Sequence, residues 1–381
     1  MPAYTSAEDS FLLAEAVKSY AFGDVLDMGT GSGILAIAAA GCRRVKSITA
    51  VDIDEEALLA ARKNAKGHRI KFLQSDLFEN VKGKFDTIIF NPPYLPQDKE
   101  FHDRALHGGK KGYEVIERFL AACNGYLRKD SIILLLFSSL TKKEKVDEFI
   151  ERNCLKKELL SSQKMFFEEL FAYKISKSKL LKRLEGKGIS NVKLFAKGHR
   201  GIVYTGVLRG KKVAVKAKKK ESLAVRRIEN EAYWLRRLNP FRIAPKIIFS
   251  GQGFFCYEFV EGSLIRDFMQ TSRKGRLRYV LRQVFRQCRV LDSLKVDKEE
   301  MHHPVKHVII GSSVVLVDFE RCHYSRKPKN VTQFCQFIRS TGKLLEEKGI
   351  IINKKWLSAA AKAYKDRQNG ENFRRIISVL K

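Results

Sequence analysis

The sequence has no Cys-x-x-C pair of any kind. Its seven cysteines (42, 123, 154, 256, 288, 322 and 335) are scattered and odd in number. That excludes a zinc-ribbon signature and a disulfide framework, and reads as buried thiols in a reducing compartment. Long hydrophobic runs are also missing. The longest, residues 34–40, has seven residues, against about 20 for a membrane span. The first residues, Met-Pro-Ala-Tyr-Thr-Ser-Ala-Glu-Asp, lack a signal-peptide profile. The expectation is a soluble, cytoplasmic protein with no membrane partner. No base-reading signature of the RRM, KH or zinc-finger kind is visible.

Apolar material is plentiful. Hydrophobic residues are 44% of the 381 and aromatics 10%, which argues against a disordered chain. The length predicts two domains. Charge divides the chain sharply. Up to residue 170 there are 25 basic and 25 acidic residues, so the remaining 211 carry the whole net charge of +31. The excess gathers at Lys211-Lys212 and in residues 216–220, 273–289 and 321–329. One reading is a solvated lysine-rich surface. The other, which the size of the excess favours, is a polyanion partner such as ribosomal or transfer RNA.

In the first half, strands and helices alternate. Val25-Leu26-Asp27-Met28 runs into Gly29-Thr30-Gly31-Ser32-Gly33, and a helical stretch follows. Further strands are expected at residues 47–52, 70–76 and 85–90, with a fully buried one at 132–137. Such alternation predicts a parallel, doubly wound sheet with its site at the strand C-terminal ends. Glycines 29, 31 and 33 allow close approach of a ligand. Asp27 precedes that turn. Asp52 ends the second strand, where a carboxylate can accept both ribose hydroxyls, and Asp76 ends the third, able to accept from an adenine amine. The glycine spacing is not the dinucleotide fingerprint. After the fourth strand stands Asn91-Pro92-Pro93-Tyr94.

With that tetrapeptide in that place, the first half resembles class I S-adenosyl-L-methionine-dependent methyltransferases of the Asn-Pro-Pro-Tyr type. These methylate planar amide or amine nitrogens. The segment Ala7-Glu8-Asp9-Ser10-Phe11-Leu12-Leu13 is similar to the one preceding the cofactor motif in HemK-type glutamine methyltransferases, above all the compact branch that acts on translation release factors. The resemblance implies a cofactor site of Ser10, Asp27, Gly29, Gly31, Gly33, Asp52, Asp76 and Asn91. It implies a catalytic set of Asn91, Pro92 and Tyr94. The Asn91 side chain and the Pro92 carbonyl would accept from the target NH2 and aim its lone pair, while Tyr94 would stack on the planar group. It also implies a release factor as substrate and a small zinc-binding activator subunit as partner. The motif equally permits an RNA or DNA adenine N6-methyltransferase.

Residues 176–190 read as a linker with a short helix. Beyond them, Lys197-Gly198-His199-Arg200-Gly201 precedes Lys212-Val213-Ala214-Val215-Lys216, and Val317-Asp318-Phe319-Glu320 comes much later. This order resembles protein kinases, in particular small archaeal predicted Ser/Thr kinases related to the RIO and KEOPS kinases. The resemblance implies an ATP site of Gly198, Gly201, Lys216, Glu231, Glu258 and Asp318, with Asp318 holding Mg²⁺. Glu231, with Glu229 as the alternative, would pair with Lys216. The catalytic loop departs from the pattern: the spacing puts His302 where Asp belongs and His307 where Asn belongs. Histidines 302, 303 and 307 do not have a zinc-finger spacing. The expected architecture is therefore a methyltransferase domain at 1–175, a linker at 176–190 and a basic, α+β kinase-like domain at 191–381.

Overall fold

The structure is a computed structural model that describes residues 7–94, 108–198, 201–219 and 225–380. His199, Arg200 and Lys220, singled out above, lie outside the described residues. The chain divides into two compact units: residues 1–195 with 207–209, and residues 196–206 with 210–381.

The first unit starts with α1 (Ala7–Tyr20), β1 (Gly23–Met28), α2 (Ile34–Ala40), β2 (Val45–Asp52), α3 (Glu55–Asn64), β3 (Lys71–Gln74) and β4 (Phe85–Phe90). It continues with α4 (Glu114–Ala122), β5 (Leu127–Ser138), α5 (Lys143–Arg152), β6 (Leu155–Lys164), β7 (Glu169–Lys177) and α6 (Lys179–Gly186). The seven strands form one sheet in the order β3-β2-β1-β4-β5-β7-β6. Strands β1 to β5 pair in parallel, and β7 pairs antiparallel with both β5 and β6.

The apolar runs explain the order. Ile133, Leu134, Leu135, Leu136 and Phe137 are fully buried, as expected of a strand covered on both faces. At the edge, β6 exposes Lys156, Lys157 and Glu158, charges that discourage pairing with another chain. The α3 helix is capped by Asp54, whose carboxylate accepts from the Glu56 backbone N–H at 2.9 Å. The sequence order reverses between β1 and β4, and an open sheet of this kind has its ligand crevice at such a switch point, beyond the strand C-termini.

Residues 176–190, expected to be a linker with a short helix, hold the end of β7 and all of α6. Leu181 and Leu184 are buried. The Lys177 ammonium is buried too, bonded to Glu185 and to the Leu127 carbonyl. The segment belongs to the first unit.

The division between units falls within β8 (Ile189–Lys197). Next come β9 (Gly201–Leu208), β10 (Lys211–Lys218), α7 (Val225–Leu238), β11 (Ile247–Gly251) and β12 (Phe254–Glu258), with strands in the order β11-β12-β10-β9. The rest is mainly helical: β13 (Ser263–Leu264), α8 (Ile265–Thr271), α9 (Lys274–Ser293), β14 (Val296–Asp297), β15 (Val308–Ile310), β16 (Val314–Leu316), β17 (His323–Tyr324), α10 (Asn330–Ser340), α11 (Gly342–Glu347), α12 (Lys354–Asp366) and α13 (Gly370–Ile377). A single apolar core joins α7, α9, α10, α12 and the short strands. Asp292 on α9 fastens it. The carboxylate is buried and accepts from Asn330 Nδ2 (2.8 Å), the Asn330 and Val331 backbone N–H groups (3.1 and 3.3 Å) and the Tyr364 hydroxyl (3.2 Å).

Six of the seven cysteines are buried, Cys42 is half-buried, and all are free thiols. Among the described residues no helix is long and apolar enough to cross a membrane.

Candidate active site

Of the residues expected to line a cofactor site, Asp27, the glycine turn, Asp52, Asp76 and Asn91 lie at or just beyond the C-terminal ends of β1, β2, β3 and β4. Gly29, Gly31 and Gly33 all have positive φ. At Gly31 a Cβ would point into open space, whereas at Gly33 it would press on Ala61 at 3.2 Å. The first therefore leaves room for a ligand, and the second seats the turn against α3.

The turn is tied to its neighbours. Thr30 Oγ1 donates to Asp27 Oδ2 at 2.7 Å, and the Gly31 backbone N–H donates to Asp52 Oδ2 at 2.8 Å. Asp52 Oδ1 accepts from the Asp54 backbone N–H at 3.0 Å. Each carboxylate oxygen has a second lone pair, so Asp52 can still accept two hydroxyls. Asp76 lies two residues beyond β3 and is held by Arg118 of α4 at 2.8 Å. Ser10 sits half-buried on α1.

Two buried polar atoms at this end of the sheet have no hydrogen-bond partner: Asp27 Oδ1 and Asn91 Oδ1. An unpaired buried acceptor costs roughly 1–3 kcal/mol, and such atoms mark places completed by something else. Burial pushes the Asp27 carboxyl up to about 7, with the Thr30 hydroxyl opposing. Asp27 is therefore a group whose charge responds to a cationic ligand. An S-adenosyl-L-methionine molecule fits this donor and acceptor set: an open glycine turn, a strand-end carboxylate for the ribose and a buried carboxyl for a positive charge.

Tyr94, expected to stack on a target, is buried within the apolar cluster that includes Leu13, Val17 and Leu134. Its hydroxyl donates to Asp9 Oδ2 at 2.6 Å. The ring thus ties the Asn-Pro-Pro-Tyr segment to α1, which also carries Ser10. That role is positioning, and it was not legible from the tetrapeptide.

A methyltransferase small domain model matches residues 7–166. A putative protein N5-glutamine methyltransferase of Methanocaldococcus jannaschii is 40% identical over 174 residues, covering 44% of this chain and 88% of that protein. The chain belongs to the small-domain methyltransferases. The release factor glutamine methyltransferase of Streptococcus pneumoniae is 36% identical over 123 residues, 29% of this chain. This chain spans only 44% of that relative's length. Among solved structures, the E. cuniculi Mtq2-Trm112 complex responsible for methylation of the eRF1 translation termination factor is 25% identical. It covers 47% of this chain and all of its own, with a TM-score of 0.39, too low to bear on fold or function. These matches lie over the first half of this methyltransferase. The kinase resemblance of the second half rests on its motifs alone.

In the second unit, Lys216 on β10 bonds to Glu231 on α7 at 2.6 Å and to Asp318 Oδ1 at 3.1 Å. Glu229, the alternative partner, is exposed. The two carboxylates keep the Lys216 ammonium charged despite burial. Gly198 donates its N–H to the Gly201 carbonyl at 2.9 Å, and a Cβ on Gly201 would touch the Lys216 side chain at 3.7 Å. Lys216, Glu231, Asp318 and the glycine turn thus come together. Glu258 does not join them. It turns to Lys246 at 3.8 Å, on the rim of a groove of about 1150 Å³ also lined by Lys212, Arg242 and Ser312.

The histidine spacing misleads at one position. His302 is exposed, its Nδ1 3.2 Å from the Glu299 carbonyl, and it makes no ion pair with the cluster among the described residues. The groups beside Asp318 are His307 and Glu300. Glu300 carried no signal in the sequence, because a polar loop hid it. Burial and the nearby Lys298 ammonium hold the His307 imidazole neutral, down to about 4.

Proposed function

We propose that the methyltransferase unit methylates the side-chain amide nitrogen of a protein glutamine, and that its substrate is a translation release factor bearing Gly-Gly-Gln. The carrying observation is Asn91 Oδ1, a buried acceptor without a partner at the end of β4. The names of the relatives support the same reading.

An amide nitrogen is a poor nucleophile because its lone pair is delocalised. S-adenosyl-L-methionine supplies an electrophilic sulfonium methyl group. The protein supplies position. Asn91 Oδ1 and the Pro92 carbonyl accept from the target NH2, which turns its lone pair toward the methyl group and lowers the barrier by orientation and electrostatics. Ser10, Asp27, Gly29, Gly31, Gly33, Asp52 and Asp76 hold the cofactor. Tyr94 keeps the loop and α1 in register. A small zinc-binding activator subunit and a cytoplasmic place of action go with this substrate.

A second reading concerns the second unit: binding of ATP with Mg²⁺ through Gly198, Gly201, Lys216, Glu231 and Asp318. The observation in its favour is the buried Lys216–Glu231 pair. The basic excess of the same half would hold ribosomal or transfer RNA.

The deciding experiment offers labelled S-adenosyl-L-methionine to two acceptors, a Gly-Gly-Gln release factor and total ribosomal plus transfer RNA, each with and without the activator. Label on the release-factor glutamine is expected. Label on RNA instead would make the chain an adenine methyltransferase whose basic half delivers nucleic acid.

A further inference from the structure

We propose that the hairpin joining β6 and β7, with Phe166 and Phe167 at its tip, is a docking element for the protein substrate, seating both rings on an apolar patch of that protein close to its target glutamine. The inference rests on the protein-substrate reading of the methyltransferase unit and deepens it.

Strand register places the hairpin. Strands β4 and β5 pair with Phe90 opposite Leu135. Strands β5 and β7 pair with Leu136 opposite Ala172 and Ser138 opposite Leu170. Asn91, the residue after Phe90, is therefore level with Ala172. From Ala172 the chain runs back past Leu170 to the tip, beyond the C-terminal edge of the sheet. At about 3.3 Å per residue and 4.8 Å per strand, the tip stands roughly 10–15 Å above the level of Asn91 and about 10 Å to one side. An extended chain covers that separation in about four or five residues. A substrate whose glutamine reaches Asn91 thus brings its own surface to the hairpin.

The hairpin is firmly seated. Met165 and Leu170 at its foot pack with the apolar cluster that holds Tyr94 and Leu13, which joins it to the Asn-Pro-Pro-Tyr segment and α1. The Glu169 backbone N–H donates to Ser139 Oγ at 3.0 Å, and the Met165 N–H donates to the Glu168 carbonyl at 2.7 Å. A preorganised tip loses less freedom on binding.

The tip residues are those of a contact surface and not of a turn. Turns between strands favour Gly, Asn, Asp and Ser. Phe166 and Phe167 are instead the two most exposed large apolar side chains among the described residues, at 92% and 87%. Their rings meet edge to face, with centroids 4.6 Å apart. Together they offer roughly 300 Å² of apolar surface. A contiguous exposed patch marks an interaction site, which a single scattered residue does not.

Charge selects the occupant. The chain is neutral as far as residue 170, and residues 161–170 set Lys164 against Glu168 and Glu169. Surfaces that stack nucleobases combine aromatics with a positively charged groove; here carboxylates stand beside the rings. Glu168 Oε2 is buried and has no hydrogen-bond partner, so an N–H brought by the partner would complete it. An apolar patch rimmed by N–H groups or basic side chains is a protein surface. Neither a nucleic acid backbone nor an anionic membrane offers that combination.

The test uses the full chain with its activator, labelled S-adenosyl-L-methionine and a Gly-Gly-Gln release factor. Phe166→Ser combined with Phe167→Ser should raise KM for the factor about tenfold or more, with kcat and cofactor affinity changing less than about threefold. Phe166→Ser alone should show the same split at smaller size, and it decides if the double variant unfolds. An unchanged KM overturns the docking role, while wild-type transfer to the factor leaves the glutamine reading standing. A joint fall in kcat and cofactor affinity with KM unmoved makes the pair structural and also overturns it. Wild-type transfer to RNA in place of the factor overturns the glutamine reading and this inference together; loss of that transfer in the double variant would assign the rings to base stacking. Sedimentation of the wild-type chain, but not the double variant, with phosphatidylcholine–phosphatidylserine vesicles overturns the inference in favour of a membrane surface.

Discussion

Asn91→Ala separates a working residue from a structural one. Asn91 Oδ1 is buried and bonded to nothing, so the folded protein carries a desolvation penalty of about 1–3 kcal/mol at that atom. Truncation removes the penalty along with some packing. The stability change should therefore be small, within about 1 kcal/mol of zero and possible in either direction. Catalysis should respond very differently. An acceptor that orients the reacting nitrogen acts in the transition state, and loss of one such preorganised hydrogen bond costs about 10²–10³ in rate, or ~2.7–4 kcal/mol. Asn91→Gln keeps the amide but moves it by one methylene. It should lose nearly as much, since a displacement of about 1 Å can cost a hundredfold. Denaturant unfolding gives the first quantity. Single-turnover transfer of labelled methyl to the accepted substrate gives the second, with cofactor affinity by calorimetry expected to change less than about threefold. A variant that lost 2 kcal/mol or more of stability while keeping its transfer rate would refute the reasoning. Asn91 would then be a structural residue, and the unpaired oxygen an accident of packing.

Further outcomes follow from other groups. Burial raises the Asp27 carboxyl from 3.8 to about 7, so without cofactor the folded state holds a proton that the unfolded chain gives up. Stability should fall by about 1.4 kcal/mol per pH unit between about 4 and 7 and level off above. A cationic cofactor needs the ionised form, so its affinity should rise about tenfold per unit up to pH 7 and then flatten; Asp27→Asn should abolish both slopes, as calorimetry and denaturation across pH would show. Lys216→Met leaves the buried Glu231 carboxylate without its counter-charge, with only the Phe319 backbone N–H donating to it, and an expected loss of about 3 kcal/mol or more in unfolding experiments; ATP affinity should also drop, and an unchanged affinity would remove Lys216 from the phosphate site. Asp292→Ala strips the acceptor from Asn330, Val331 and Tyr364 and should cost about 3 kcal/mol or more, given a buried network of several bonds. A loss under 1 kcal/mol would mean that the donors find other partners.

What could be read from the sequence was local. Val25-Leu26-Asp27-Met28 followed by three glycines is a short buried strand and a turn, and each residue's part follows from its neighbours. Asp52 and Asn91 are legible for the same reason, as polar residues that end apolar runs. Lys216 and Glu231 are only 15 residues apart, on a strand and the next helix. The unreadable part is non-local. Tyr94 and Asp9 meet across 85 residues and Asp76 and Arg118 across 42, and no periodicity announces either contact. The antiparallel pair β6 and β7 escaped notice because β6 is an edge strand, mostly polar, with too few buried residues to show a pattern. The loop before β15 shows both sides: His307, reached by counting back from an apolar strand, lies beside Asp318, whereas Glu300 next to it carried no signal in the sequence.

Unpaired buried polar atoms connect these observations. Among the described residues ten buried side-chain atoms have no partner, and four of them fall into the two candidate sites: Asp27 Oδ1 and Asn91 Oδ1 in one unit, Glu300 Oε2 and His307 Nδ1 in the other. Each costs the protein about 1–3 kcal/mol, roughly twice what a hydrogen bond contributes in net terms, and folding alone gives no reason to keep two together. At the switch point of the sheet the pair consists of acceptors, which suits a ligand rich in N–H groups and positive charge. Beside Asp318 it consists of a carboxylate oxygen and a ring nitrogen. The deficit at the first site therefore predicts that S-adenosyl-L-methionine stabilises the first unit and leaves the second unchanged. Thermal unfolding with and without S-adenosyl-L-methionine tests this, and an unmoved transition for the first unit would break the reasoning.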